Sequence, residues 1–246
     1  MIVPKPHDAL HKMQLYRLLI AILDERSLSQ NLYFKGGSCA AMLGWLDRFS
    51  IDLDFDLRSK ANKKRIIKKL YAIFERLHLE VKTQAKETLF FVLGYQAEQG
   101  FRNSLKLGIV KEQVLANDYS VFYLSEIDRY AVCQTRQTMV ANKLVALVDR
   151  FEKYHAIAGR DLYDINFFLS MGFPYKKQII EERRKTSALN YLTELKEFIE
   201  KRITDKIITE DLSYLLPFEK FNAIRKTLKI ETLILITDEI NRLSEK

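Results

Sequence analysis

Cysteine is scarce. Cys39 and Cys133 are the only two in 246 residues, which excludes a disulfide framework and a thiolate zinc site. Each is expected as a small buried hydrophobe. Four prolines and eight glycines argue against long flexible linkers and favour helix over a sandwich or barrel. No apolar run approaches the roughly 20 residues of a spanning helix, so no membrane partner is expected. The opening MIVPKPHDALHKMQ lacks the apolar core of a signal peptide, and a cytoplasmic location is expected. Only four histidines occur. His7 and His11 have a chelating i, i+4 spacing, but no acidic third ligand accompanies them. No Ser-His-Asp or Cys-His arrangement can be built.

What is present is ordinary globular material, 48% hydrophobic and 29% charged, enough for one large domain or two small ones. The net charge of +8 suits a polyanionic partner without proving one. Basic residues concentrate at Arg58, Lys60, Lys63, Lys64, Arg65, Lys68, Lys69, Arg76, Lys82 and Lys86, opposed only by Glu75 and Glu80. Two readings stand: a solvated helix face, or a guide for an RNA backbone starting beside the active site.

Apolar spacing predicts a helix over 8–28, a short strand over 31–35 and a helix over 39–46 capped by Ser38. A strand over 51–57, a basic amphipathic helix, and strands over 79–83, 88–94 and 104–110 follow. Beyond about Tyr130 the pattern is helical: 139–151, 161–169, 188–202, 210–215 and 218–243. The expected class is α+β, with a core over 1–130 carrying a small mixed sheet and a helical domain over 131–246.

The richest stretch is FKGGSCAAMLGWLDRFSIDLDFDL, residues 34–57. Asp is depleted in strands, yet Asp52, Asp54 and Asp56 alternate with Leu53, Phe55 and Leu57. Period-two geometry puts Asp52 and Asp54 on one side. Parallel carboxylates repel unless a cation sits between them, and Mg²⁺ is often held by one or two carboxylates plus substrate phosphates. Gly36-Gly37-Ser38 ends a strand and opens a helix, where backbone N–H groups favour an anion. Together they predict a grip on a nucleoside triphosphate through metal and phosphate.

A second stretch is MVANKLVALVDRFEKYHAIAGRDLYDI. Lys143 and Arg150, seven apart, share a helix stripe suited to phosphate. Asp161 stands at the start of the next helix. Taken alone, the stretch reads first as a surface lysine at Lys143 and a carboxylate placed for the helix dipole at Asp161.

The two stretches together resemble the nucleotidyltransferase-fold toxins of the AbiEii/AbiGii group, within the polymerase-β-like superfamily. The match rests on Lys35-Gly36-Gly37-Ser38, on 48–55 (RFSIDLDF), on 143–147 (KLVAL) and on 160–164 (RDLYD), and spans roughly 30–170. The resemblance implies a nucleotidyltransferase toxin of a toxin–antitoxin or abortive-infection system. In it Gly36, Gly37 and Ser38 cradle an NTP, Asp52 and Asp54 bind Mg²⁺ or Mn²⁺, Lys143 contacts phosphate and Asp161 helps complete the catalytic set. The implied acceptor is an RNA, tRNA foremost, and the implied partner a cognate antitoxin. Ser50 corresponds to a position some antitoxins modify; it also reads as a plain turn hydroxyl. Superfamily members commonly carry a third acid on a later strand, where this chain has Gly108; either Glu112, Asp118 or Asp161 stands in for it, or the site binds nucleotide without efficient transfer. The alternative is a non-catalytic nucleotide-binding module that sequesters a partner.

Overall fold

The computed structural model describes residues 1–85, 89–111 and 114–245. Lys86 of the basic run, Thr88 of the expected fourth strand and the candidate acid Glu112 lie outside them. The chain divides into two compact units, Met1–Gln113 with Asp118–Thr135, and Val114–Asn117 with Arg136–Lys246.

The first unit is built on β1 (Leu32–Lys35), β2 (Asp52–Leu57), β3 (Glu80–Gln84), β4 (Leu89–Gly94), β5 (Ser104–Val110), β6 (Tyr119–Leu124) and β7 (Arg129–Gln134). They form one mixed seven-stranded sheet in the order β3-β4-β5-β2-β1-β7-β6. β2 runs parallel to β5, and β1 parallel to β7; the remaining pairs are antiparallel. The hairpin β6–β7 was not foreseen from sequence. In YSVFYL both faces carry apolar or aromatic side chains, so no clean alternation marks a strand. Its turn lacks the Gly or Asn-Gly signature, and Asp128 supplies the left-handed residue instead, at φ 51°.

Register fixes the two faces of the sheet. Leu53, Phe55, Phe34, Phe91, Leu107 and Cys133 point one way, and all are buried. The helices α1 (Asp8–Asp24), α2 (Arg26–Ser29), α3 (Gly36–Met42) and α4 (Lys63–Arg76) accompany this sheet. The expected single helix over 8–28 breaks at Glu25, which is extended and accepts a hydrogen bond from the Ser27 N–H. α4 buries Ile66, Leu70, Ile73 and Phe74, and Phe74 packs edge-on against Phe91 at 5.3 Å. α4 therefore lies on the apolar face. Cys39 lies against Cys133 there, and burial, followed by that neighbour, pushes its thiol pKa up.

The second unit is helical: α5 (Arg136–Tyr154), α6 (Gly159–Ser170), α7 (Lys177–Arg184), α8 (Ala188–Arg202), α9 (Asp205–Leu212), α10 (Phe218–Ile224) and α11 (Leu228–Ser244). α7 was not anticipated, because KQIIEERR buries only Ile179 and Ile180. The single helix expected over 218–243 is split between α10 and α11.

Candidate functional site

Asp52, Asp54 and Asp56 lie on the sheet face opposite α4. Across the neighbouring strands they register with Lys106, Gly108 and Val110 of β5, while Lys35 and Tyr33 of β1 stand opposite Asp54 and Asp56. The start of β2 is pinned from behind. His11, buried, donates from Nε2 to the Ile51 carbonyl at 2.9 Å and pairs through Nδ1 with the Tyr95 hydroxyl at 2.7 Å. Burial is the main cause that lowers its pKa to about 4, so the ring is neutral and serves as a strut.

The Asp54 carboxylate is seated between two glycines. A Cβ on Gly36 would fall 2.7 Å from its Oδ2, and a Cβ on Gly108 would fall 2.9 Å from its Oδ1. Gly36 is constrained twice, since its φ of +77° also disfavours any side chain. Gly37 faces a second obstacle: a Cβ there would meet Ser50 Oγ at 2.9 Å and Arg48 Nη2 at 3.0 Å. Arg48 is 2% exposed and donates from Nη1 to the Phe49 carbonyl at 2.9 Å. The glycine pair thus has a packing reason as well as any role in backbone approach to an anion.

Ser38 does not cap a helix over 39–46 as expected. α3 starts at Gly36 with Lys35 as its extended N-cap residue, and Ser38 lies inside the first turn. Its buried hydroxyl donates to the Asp52 carbonyl and pairs with the Ser50 hydroxyl at 2.9 Å. The first turn of α3 is thereby stitched to the start of β2. Ser50, only 7% exposed, belongs to the same stitch.

Asp56 differs from its two companions. It is 2% exposed and fully engaged: Lys35 Nζ donates to Oδ1 at 2.6 Å, while the Tyr119 hydroxyl and Gln134 Nε2 donate to Oδ2 at 2.9 and 2.8 Å. Sequence reasoning missed these partners, since two of them come from β6 and β7. Asp52 and Asp54 are half-buried and remain the candidates for an ion. Among the described residues no group of three or more His, Cys, Asp or Glu comes together to hold a metal. The pair fits Mg²⁺ only in the mode where phosphates and water complete the shell.

In the helical unit, Lys143 Nζ stands 2.7 Å from Asp164 Oδ2 and 3.3 Å from Asp161 Oδ1, and Arg150 Nε donates to Asp161 Oδ2 at 2.8 Å. Asp161 and Asp164 are fully buried. Burial alone would raise the Asp161 pKa, but the charges of Lys143, Arg150 and Arg160 outweigh it and hold the carboxyl at about 2. The sequence-predicted Lys143 and Asp161 thus meet, and neither is a plain surface group. Arg183 and Arg184, at the end of α7, are ion-paired with Asp149, Glu152 and Glu194.

Residues 17–227 match the family described as nucleotidyl transferase AbiEii toxin, type IV TA system. The chain belongs to the AbiEii nucleotidyltransferase toxin family. AbiEii membership makes it a toxin-type nucleotidyltransferase and implies an antitoxin partner. Solved structures share the fold. A crystal structure of an H. pylori protein superposes with a TM-score of 0.60 at 17% identity, covering 98% of both chains. JHP933 from Helicobacter pylori gives 0.58 at 17%, covering 98% of this chain and 96% of that one. MenT4, a nucleotidyltransferase toxin from Mycobacterium tuberculosis, gives 0.51 at 18%, covering 94% and 84%. No curated protein matches the sequence. No helix among the described residues is long and apolar enough to cross a membrane.

Proposed function

We propose that this AbiEii toxin transfers a nucleotide from an NTP to an RNA, tRNA foremost, with Asp52 and Asp54 as ligands for Mg²⁺ or Mn²⁺. The observation that carries the reading is the Asp54 carboxylate seated between Gly36 and Gly108, beside the Gly36-Gly37-Ser38 loop and on the same strand face as Asp52. A divalent ion so held supplies charge neutralisation on the phosphates and on the oxygens entering and leaving. The loop N–H groups orient the triphosphate, and Ser38 and Arg48 keep the loop in register with β2. A ribose hydroxyl of the acceptor attacks the α-phosphorus in line; that P–O bond forms as the bond to pyrophosphate breaks, and the hydroxyl proton is released. Lys143 is proposed to contact phosphate, its ammonium oriented by Asp161 and Asp164. A phosphate placed on Ser50 would crowd Gly37 and Arg48, which would make its modification a route to neutralisation.

The test is incubation of the protein with Mg²⁺ or Mn²⁺, each labelled NTP and total RNA, with and without EDTA. Metal-dependent label in RNA of tRNA size is expected. NTP binding without label from any of the four would leave only the sequestering module.

A further inference from the structure

We propose that the tyrosines of β6 and β7 form a stacking track for unpaired bases of the acceptor RNA. The inference rests on the nucleotidyl-transfer reading. Register places Tyr119, Val121 and Tyr123 of β6 opposite Gln134, Val132 and Tyr130 of β7, and Gln134 and Tyr119 both reach Asp56. These side chains therefore share the face of Asp52 and Asp54. The Tyr33 and Tyr119 rings pack tilted against each other with centroids 4.6 Å apart, and the Tyr123 and Tyr130 rings do so at 5.2 Å. Tyr130 is 70% exposed, Val121 61% and Tyr123 48%.

Two of the rings are tethered through their hydroxyls. The Tyr119 hydroxyl is tied to Asp56, and the Tyr123 hydroxyl to Asp128 at 2.9 Å. With strands about 4.8 Å apart, β6 lies about 14 Å from β2 across β1 and β7. Sheet faces that display aromatic rings recognise splayed single-stranded bases by stacking, whatever the base. The net charge of +8 suits a polyanion. α4 packs on the other face of the sheet, away from these carboxylates. The tyrosine face is continuous with them.

The experiment compares the full chain with Tyr123→Ala/Tyr130→Ala and Tyr123→Phe/Tyr130→Phe. The probes are a labelled single-stranded oligoadenylate RNA and an abasic ribose-phosphate oligomer of equal length, titrated over a range of salt without NTP or metal. The double Ala variant should bind oligoadenylate about 10- to 100-fold more weakly, with an unchanged salt slope because no phosphate contact is lost. The Phe variant should bind within about threefold of wild type, since stacking needs the ring. The abasic oligomer should not distinguish the three proteins. Equal oligoadenylate affinity in wild type and the Ala variant overturns the track, as does an equal loss for the abasic oligomer. So does a loss of dimer by the Ala variant in sedimentation with RNA affinity intact, which would assign the face to a second copy. Nucleotide transfer is measured separately. Stacking without any transfer sinks only the reaction, and transfer with tyrosine-indifferent binding sinks only the track.

Discussion

The carboxylate of Asp54 fills the space that a side chain at Gly108 would need, with Oδ1 2.9 Å from the position of a Cβ on that residue. The two face each other across the parallel pair β2–β5. An acid at 108 would therefore compete with Asp54 for the same space. This gives the glycine a physical reason: it seats the carboxylate that is present.

Gly108→Ala should lower nucleotide transfer about 10- to 100-fold, because a displacement of the order of an ångström is enough to spoil a reacting geometry. Gly108→Asp should be no better than Gly108→Ala. Steady-state transfer rates on both variants check this. A Gly108→Asp enzyme faster than wild type would show that the position lacked an acid it could use.

The three aspartates of β2 should separate by readout. Asp52→Asn and Asp54→Asn should each lose about 100- to 1000-fold in transfer with little change in thermal unfolding. Asp56→Ala should instead unfold more easily, by about 3 kcal/mol, since it leaves Lys35 without its buried partner. Urea unfolding and transfer assays on all three give the comparison. An Asp54→Asn variant with near wild-type rate at saturating Mg²⁺ would remove it from the site.

Ser38→Ala removes a buried hydroxyl that serves both the Asp52 carbonyl and Ser50. Its loss should cost about 1–3 kcal/mol of stability and weaken NTP binding moderately, because the loop N–H groups remain. Calorimetric unfolding and NTP titration measure the two effects. Unchanged stability would mean that the stitch between loop and strand carries no energy.

Much of this site was legible because it is local. Gly36-Gly37-Ser38 and Asp52-Leu53-Asp54 are separated only by the rest of α3 and a turn, and period-two alternation placed both carboxylates on one side. The bounds of β5 were likewise readable from SLKLGIV. What sequence could not show depends on distant chain. Asp56 looks like Asp52 in DLDFDL, and only Tyr119 and Gln134, from a hairpin whose two faces are both apolar, turn it into a structural residue. The sidedness of α4 was also hidden. Its apolar stripe reveals that it packs on the sheet, but not which face receives it.

The basic helix yields a corrected expectation. Its start, Lys63, follows the end of β2 at Leu57, about 16 Å from Asp52 along the strand, and the helix lies behind the sheet. Replacing Lys63, Lys64 and Lys68 by Glu should flatten the salt dependence of any non-specific RNA binding and leave transfer at low salt within a few-fold. A hundredfold fall in transfer, with NTP binding intact, would restore the helix as the acceptor guide.

The ion-pair cluster of the helical unit should be visible in acid. The Asp161 pKa is about 2 in the folded chain, against an ordinary value near 3.9. A depressed folded value means a stabilisation that is complete above about pH 4 and is lost as pH falls through about 2. A shift of this size corresponds to about 2–3 kcal/mol. Wild type should therefore lose stability more steeply than Asp161→Asn between pH 4 and pH 2, while being the more stable of the two at neutral pH. Lys143→Ala should be destabilised at neutral pH by about 3–5 kcal/mol, because it removes the cation that bridges two fully buried carboxylates. Its deficit should shrink in acid as those carboxylates take up protons. Urea unfolding of the three proteins from pH 7 to pH 2 tests both statements. Parallel curves for wild type and Asp161→Asn would show that Asp161 titrates normally and that Lys143 and Arg150 do not hold it ionised.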